Sequence, residues 1–396
     1  MGTKTLDLTD EQEAIREMVH RFADEQIIPN AEHYDGADEY PQPIVEQMQE
    51  LGLFGVTIDE QYGGMGLDLL TYVMIVEELS RGWISISGIV NTHFIGSYLL
   101  QKYGTEEQKE KYLPKMATGE IRAAFSLSEP ELGSDVAAIK TSAKKVGDDY
   151  EITGQKMWVT NGLTSSLVFV LVKTDPDADP RHRGMTCFIA EKESGKADND
   201  GLTVPPKIKK MGYKGVESTE LVFEGFKCPP ENILGGEDAG LNKGFAQMMD
   251  ALEVGRANVA ARGVGIAQRA LELGLKYSQE RKTFGKPIAQ HQAIQFKLAD
   301  MATQIEAARL LTRRAARLKD AGERTELEAG MAKLFASEAA RFCVEESFRI
   351  HGGYGYSKEY EIERLYRDAP LLLIGEGTSE IQKMVIGRKL LADNKI

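Results

Sequence analysis

YEITGQKMWVTNG, at residues 150–162, alternates like a β-strand, although it lies in the middle of a chain whose two ends have helical periodicity. LVFVLV at 167–172, CFIA at 187–190 and LVF at 221–223 are short apolar runs separated by Gly, Asp, Asn and Pro. Runs of this length and composition predict β-strands. We therefore expect a β region that begins near Phe125.

The segments on either side of this region have the signals of helices. Thr9 and Gln12 have the spacing of a capping box, which predicts that the chain opens with an amphipathic helix. A long stretch without proline before Pro287 predicts a long helix, and 326–350 is another helix candidate. An apolar stripe within 289–320 predicts a further helix and consists of Ile294, Leu298, Met301, Ile305 and Ala308. The predicted fold is α+β and mainly α.

Composition limits the partners and the compartment. The 396 residues carry a formal net charge of −13, which argues against nucleic acid as a main partner because phosphate binding needs a dense Lys and Arg surface. Cys187, Cys228 and Cys343 are far apart and odd in number, which indicates a reducing compartment without structural zinc. No apolar run is long enough for a membrane span, and MGTKTLDLTDEQ resembles neither a signal nor a transit peptide. We expect a cytoplasmic protein of a bacterial cytosol, although a mitochondrial matrix protein without its presequence would look the same.

Common nucleotide and hydrolase motifs are missing from the sequence. No strand is followed by G-x-G-x-x-G, and there is no P-loop, no H-E-x-x-H and no G-x-S-x-G. Rossmann, P-loop, zinc protease and α/β-hydrolase interpretations therefore lose their support, and no metal is expected.

Two segments at the start of the β region offer polar groups to a ligand. FSLSEPELGSD at 125–135 has hydroxyls and small residues that suit close approach to a polar ring or a phosphate, or it is an ordinary polar loop. In KMWVTNG at 156–162, strand alternation puts Trp158 and Thr160 on one face. The indole then either lies beside a hydroxyl donor at a ligand or belongs to the core.

A third segment, LLLIGEGTSEIQ at 371–382, contains one carboxylate behind an apolar run. Thr378 is placed to cap a helix that starts at Ser379, which leaves Glu376 on the preceding loop between Gly375 and Gly377. Either the carboxylate only favours the helix dipole, or the apolar approach desolvates it and raises its pKa toward that of a general base. In the second case the glycines let a substrate carbonyl approach the backbone.

Together these segments resemble the acyl-CoA dehydrogenase family over essentially the whole chain. Phe125–Asp135 and Met157–Asn161 are similar to its flavin segments, RKTFGKPIAQHQ at 281–292 to its subunit-spanning FAD motif, and HGGYG at 351–355 and EGTSEIQ at 376–382 to its C-terminal motifs. The resemblance implies an N-terminal α-helical domain at 1–124, a middle β-barrel or sandwich domain at 125–239 and a C-terminal four-helix bundle at 240–396. It also implies a homotetramer.

The resemblance further implies which residues bind FAD and the acyl-CoA substrate. Leu127 and Ser128 would meet the isoalloxazine edge, Trp158 would pack on the ring, Thr160 would approach N5, and Phe125 is a further cofactor position. The other FAD positions are Arg281, Phe284, Gln292, Arg349, Gly352, Gly353, Thr378 and Glu380. The substrate positions are Ser134, Glu253, Arg256, Gly375 and Gly377, and Ser134 is also a cofactor position.

The activity implied is desaturation of a short, medium or branched fatty acyl-CoA to the trans-2-enoyl-CoA, as in fatty acid β-oxidation. Glu376 would take the α-proton and flavin N5 the β-hydrogen as hydride, while the Glu376 N–H and a ribityl hydroxyl stabilise the enolate. An electron-transfer flavoprotein would accept the electrons. The family's other position for the base precedes the arginine of the first C-terminal helix; Gly255 precedes Arg256 here, and Glu253 should point elsewhere at helical spacing.

Three departures from the family pattern bear on the ligands. Gly375 stands where many straight-chain members carry tyrosine, which predicts a pocket that tolerates branched or bulkier acyl groups. Arg349 replaces a frequent glutamine near the FAD diphosphate and can still donate there. Ile86 stands where glutaryl-CoA members place a carboxylate-binding arginine, which disfavours a dicarboxylate substrate.

Two rival interpretations stay open. An acyl-CoA oxidase would pass electrons to oxygen, although the chain is short for a typical oxidase. A catalytically inactive family member would serve as an assembly or scaffold protein, an interpretation that Glu376 and the full set of flavin motifs disfavour.

Overall fold

The computed structural model of the chain describes residues 8–395 and begins with six helices. The capping box predicted at the first of them is confirmed, because the Thr9 hydroxyl accepts from the Gln12 N–H while the Gln12 side chain accepts from the Thr9 N–H. These helices are α1 (Asp10–Phe22), α2 (Ile28–Ala37), α3 (Gln42–Glu50), α4 (Leu69–Gly82), α5 (Ile84–Tyr103) and α6 (Glu106–Ala117). A π-helical turn, Ala23–Ile27, joins the first two.

Helices α4 and α5 lie in the interior, and nearly all of their residues are buried. Such helices are apolar on every face. Helix α5 nevertheless buries three consecutive polar side chains, each of which bonds to a different part of the chain: Asn91 to Glu376, Thr92 to the Ala123 carbonyl and His93 to the Phe54 carbonyl. This helix therefore links the N-terminal helices to the sheet and to the C-terminal segment.

The middle region forms one curled sheet of seven strands. The strand order is β1-β4-β2-β3-β7-β6, with β5 beside β4. Strand β4 is buried on both faces, which explains its unbroken apolar sequence. The strands are β1 (Ala123–Ser126), β2 (Ser142–Val146), β3 (Asp149–Thr160), β4 (Leu167–Lys173), β5 (Met185–Glu191), β6 (Leu202–Thr203) and β7 (Ser218–Cys228).

The C-terminal region is helical and is organised around one 37-residue helix, α8. Helix α8 packs against α4 and α5 on one side and against the later helices on the other, and the stripe predicted within 289–320 faces this core. The elements are α7 (Gly236–Gly240), α8 (Gly244–Glu280), a hairpin of β8 (Lys282–Thr283) and β9 (Lys286–Pro287), α9 (Gln292–Asp320), α10 (Glu326–His351), α11 (Ile362–Asp368), α12 (Pro370–Ile374) and α13 (Ser379–Asp393).

The predicted domain limits fall inside elements of the structure and stay predictions. The first, between residues 124 and 125, lies within β1, and the second, between 239 and 240, lies within α7. Residues 1–7, on which much of the targeting prediction rests, lie outside the described residues. In the span from 8 to 395, no helix has both the length and the apolar character needed to cross a bilayer.

Packing between α4 and α8 depends on a glycine. A Cβ at Gly265 would overlap the Glu77 carbonyl oxygen and lie 2.7 Å from the Ser80 Cβ. We expect Gly265→Ala to lower the free energy of unfolding by about 1–3 kcal/mol, because the two backbones must separate. Gly387→Ala is the control: it also lies within a helix, nothing lies within 4 Å of its Cβ position, and alanine should match or raise stability. Thermal melting of both variants measures the difference, and a Gly265→Ala melting temperature at or above wild type would contradict it.

Candidate active site

Glu376 lies on a strained loop between α12 and α13. Its φ is 54° and that of Gly377 is 92°, so both residues are in the left-handed region, which is rare for a residue with a side chain. Thr378 caps α13 as predicted, since its Oγ1 accepts from the Ile381 N–H at 3.3 Å. Strained backbone of this kind concentrates at functional sites.

Two fully buried side chains hold the carbonyl groups of this loop. Lys333, in α10, donates to the Gly377 carbonyl at 2.6 Å, and burial lowers the pKa of its ammonium group to about 8. Gln382, in α13, donates to the carbonyls of Glu376 and Gly377 at 3.2 and 3.1 Å. These donors offset the strain and fix the direction in which Glu376 leaves the backbone.

The Glu376 carboxylate is enclosed between α5 and α8. Asn91 donates to its Oε1 at 2.6 Å, whereas Oε2 is buried and has no hydrogen-bond partner. A Cβ at Gly255 would overlap Oε2 and lie 3.2 Å from the Ile95 Cδ1. The absence of a side chain at Gly255 thus makes the space that the carboxylate occupies.

The environment of Glu376 favours its protonated form. Burial raises the pKa of the carboxyl group above its ordinary value, and this effect outweighs the hydrogen bond from Asn91. Positive charges on Arg262, Lys333 and Arg256 oppose it as well. A carboxylate with a raised pKa and one free oxygen has the properties of a general base.

The two predicted flavin segments lie side by side. The Met157 N–H donates to the Ser128 carbonyl at 2.9 Å, and the buried Lys156 donates to the Leu127 carbonyl at 3.0 Å and to Glu129 at 3.1 Å. The end of β1 and the end of β3 therefore form one continuous edge.

Trp158 stands on a bulge in this edge. Strand β3 has one extra residue between Lys156 and Val159 relative to β7, so the regular alternation expected for Trp158 and Thr160 is interrupted. Trp158 has a φ of 65° and is 57% exposed, so the interpretation of a core tryptophan is wrong. An exposed indole held in strained backbone fits a planar aromatic cofactor.

Three of the five predicted substrate residues lie together, whereas Gly375 and Gly377 do not line the cleft and flank Glu376 in the loop. Ser134, Glu253 and Arg256 line one cleft of about 1140 Å³. Glu253 binds Lys319 at 3.1 Å, so its carboxylate is engaged away from Glu376. Val254 and Arg256 line the cleft on either side of Gly255, which contacts Glu376, so the cleft reaches the turn of α8 next to the carboxylate.

The remaining predicted cofactor residues lie on exposed surface. The Arg281 guanidinium is 5.8 Å from the centre of the Tyr354 ring, which joins the β8–β9 hairpin to the glycine turn after α10. Arg349 is engaged by Glu345 at 2.6 Å. Phe284 is 95% exposed, and Gln292, Gly352, Gly353 and Glu380 are exposed as well. Within residues 8–395, no group of three or more His, Cys, Asp or Glu side chains is placed to hold a metal ion.

Three protein-family models match the chain. They are described as acyl-CoA dehydrogenase N-terminal, middle and C-terminal domains, and they match residues 9–120, 124–226 and 242–391. Probable acyl-CoA dehydrogenase YngJ of Bacillus subtilis is 43% identical over 97% of this chain and 99% of its own length. The (2S)-methylsuccinyl-CoA dehydrogenase of Cereibacter sphaeroides is 41% identical over 97% of this chain and 70% of its own.

Solved structures match over a similar extent. Butyryl-CoA dehydrogenase from Megasphaera elsdenii has a TM-score of 0.90 at 38% identity, covering 99% of this chain and 100% of that one. A chain of the structure described as the electron transferring flavoprotein of Acidaminococcus fermentans has a TM-score of 0.91 at 39% identity, with coverage of 98% and 99%. PigA, solved with FAD and proline, has a TM-score of 0.91 at 28% identity, with coverage of 98% and 100%.

The hydrogen bond from Asn91 should set the pKa of Glu376. In Asn91→Leu, which keeps the size of the side chain, the ionised carboxylate loses its donor, and we expect its pKa to rise further above the ordinary value. The carboxyl band in difference infrared spectra, assigned with Glu376→Gln, reports the titration. Asn258→Leu is the control, because Asn258 is a buried amide that donates to Tyr72 at 2.8 Å. Equal midpoints in wild type and Asn91→Leu would rule out this role.

Proposed function

Because this chain belongs to the acyl-CoA dehydrogenase family, we propose that it desaturates a short, medium or branched fatty acyl-CoA between Cα and Cβ to the trans-2-enoyl-CoA. Glu376 is the base in this proposal. The observation that carries it is the buried Oε2 of Glu376, which has no partner and lies next to the cleft.

FAD is the cofactor of this family. When bound, it supplies the acceptor for the β-hydrogen, which leaves as hydride. Leu127, Ser128, Trp158 and Thr160 would hold its ring, and the exposed indole of Trp158 supports this assignment. Its adenosine diphosphate part would lie in a neighbouring subunit of a homotetramer. The exposed residues that would hold it are Arg281, Phe284, Gln292, Arg349, Gly352, Gly353 and Glu380.

The protein's own contribution is to place and tune one base. Asn91 binds Oε1, so the free Oε2 is the oxygen that takes the α-proton. Lys333 and Gln382 hold the loop carbonyls, which keeps the carboxylate from turning away during the reaction. The Glu376 N–H would polarise the thioester carbonyl, and enclosure by α5 and α8 excludes water from the proton being moved.

The electron acceptor in this proposal is an electron-transfer flavoprotein. Family membership supports it, and oxygen is the alternative acceptor if the chain is an oxidase. The cytoplasmic location and the place in fatty acid β-oxidation stay predictions.

Replacement of the base tests the proposal. Glu376→Gln keeps the shape and the Asn91 contact but cannot take a proton, so we expect flavin bleaching by acyl-CoA under anaerobic conditions to slow by at least about 10³-fold. Glu359→Gln, at an exposed glutamate, should bleach like wild type. Equal rates for wild type and Glu376→Gln would remove Glu376 as the base.

The same assay separates the rival functions. Rapid peroxide formation when air is admitted to the reduced protein would indicate an oxidase. Purified protein that binds no FAD and stays colourless would support the scaffold interpretation instead.

Gly375 should admit branched acyl groups. Its φ of −62° suits any residue, and a Cβ there would meet only Leu371, at 3.4 Å or more. We therefore expect Gly375→Tyr to fold and to fill space near Cα and Cβ, lowering kcat/KM for isobutyryl- and 2-methylbutyryl-CoA by about tenfold or more relative to octanoyl-CoA. Gly375→Ala should keep the wild-type ratio. A wild-type enzyme that strictly prefers the straight chain would refute the wide pocket.

A further inference from the structure

The seam between α5 and α8 is the line along which the two helices pack against each other. Polar side chains lie at two points on this seam, and one of these points is away from Glu376. Gly255 and Arg262 are seven residues apart on α8, so they lie on the same face, separated by about 10 Å along the helix axis. On α5, Ile95 lies opposite Gly255, and Asn91 binds Glu376. The line from Ile95 past Asn91 continues to Gly88, one turn further along α5.

Tyr213 and Arg262 occupy that second end. A Cβ at Gly88 would overlap the Tyr213 hydroxyl, so the tyrosine side chain lies directly against α5. The Arg262 guanidinium lies 4.9 Å from the centre of the Tyr213 ring. Tyr213 has a φ of 54° and is almost fully buried. Strained backbone thus brings an aromatic ring and a cation together beside the seam.

Arg262 is a buried cation with unused donors. It is 4% exposed, and its Nε and Nη2 are buried without a hydrogen-bond partner. A guanidinium in such a place normally binds an anion through two parallel N–H groups. Among the described residues it forms no ion pair. Its charge acts on Glu376, as do the charges of Lys333 and Arg256, so Arg262 lies close enough to influence the carboxylate.

We propose that Arg262 binds a carboxylate at the far end of the acyl group, so that the preferred substrate is a dicarboxylic acyl-CoA. The inference rests on the proposed function and adds the substrate class. In this proposal Cα lies at Glu376 and the acyl chain follows the seam toward Arg262, which lies about 10 Å from Gly255 along α8. The carboxylate accepts from Nε and Nη2, the two donors that the protein itself leaves unpaired.

This assignment differs from the expectation drawn from Ile86. Ile86 is fully buried in α5 and provides no charge, which by itself disfavours a dicarboxylate. The cation comes instead from α8, the helix that faces α5 across the seam. A carboxylate subsite requires a charge at the end of the pocket and does not require that it come from a particular helix.

The test compares CoA thioesters that end in a carboxylate with uncharged thioesters. Succinyl-, glutaryl-, adipyl- and suberyl-CoA are each paired with the straight-chain acyl-CoA of the same carbon number, and kcat/KM is measured by flavin bleaching. We expect at least one dicarboxylic thioester to exceed its uncharged partner by tenfold or more in the wild-type enzyme. Reaction of the uncharged thioesters with no preference for any carboxylate overturns the inference and leaves the proposed function standing. If no thioester reacts, the proposed function fails.

Variants connect the preference to Arg262. Arg262→Gln should lower the ratio of kcat/KM for the preferred dicarboxylic thioester to kcat/KM for its uncharged partner by about thirtyfold or more, because any effect of the lost charge on Glu376 acts on both thioesters alike. Arg269→Gln is the matched control, because Arg269 lies two turns further along α8 and is paired with Glu361 at 2.6 Å; its ratio should match wild type. Equal losses on both thioesters in Arg262→Gln, or loss of FAD, would overturn the inference.

A binding measurement covers the case in which Arg262→Gln is unstable. A CoA thioether that carries the same terminal carboxylate but has no thioester carbonyl cannot react, and calorimetry gives its Kd. Arg262→Lys keeps the charge and should bind it within about tenfold of wild type, whereas the uncharged thioether should bind both proteins equally. Equal affinity of wild type for the charged and uncharged thioethers would overturn the inference.

Discussion

The burial of the Glu376 carboxylate between α5 and α8 is the constraint on which the arrangement of the site depends. An ionised carboxylate loses solvation when it leaves water and needs donors or cations in return. One donor, Asn91, is supplied at 2.6 Å, and one oxygen is left without any. This partial compensation raises the pKa of the group while holding its side chain in a single place.

Residues from three separate helices form these surroundings of Glu376. Helix α5 contributes the Asn91 amide, α8 contributes Gly255, where any side chain would overlap the carboxylate, and α10 contributes Lys333 to the loop carbonyl. A buried lysine without an anion is costly unless its protons are bound. Lys333 binds the Gly377 carbonyl, so its hydrogen bond fixes the backbone next to Glu376 and offsets part of the desolvation of the ammonium group.

Strained backbone recurs around the site. Trp158, Tyr213 and Glu376 all have φ values between 54° and 65°. Beside Glu376, the fully buried Lys333 donates to the Gly377 carbonyl, so the core supports the strain there. Strained backbone that is supported by buried neighbours is typical of preorganised binding sites.

By itself the sequence determined the α-β-α order of the chain, the capping box at Thr9, a long helix before Pro287 and the loop position of Glu376 ahead of the Thr378 cap. These features depend on residues within one or two turns of each other, which periodicity and capping signals report. Only the tertiary structure decided that Trp158 stands on a bulge, because the extra residue exists only relative to β7. It also decided that Asn91 binds Glu376 across 285 residues and that Arg262 meets Tyr213, because such contacts arise from helix packing, and local sequence patterns do not report which distant faces meet.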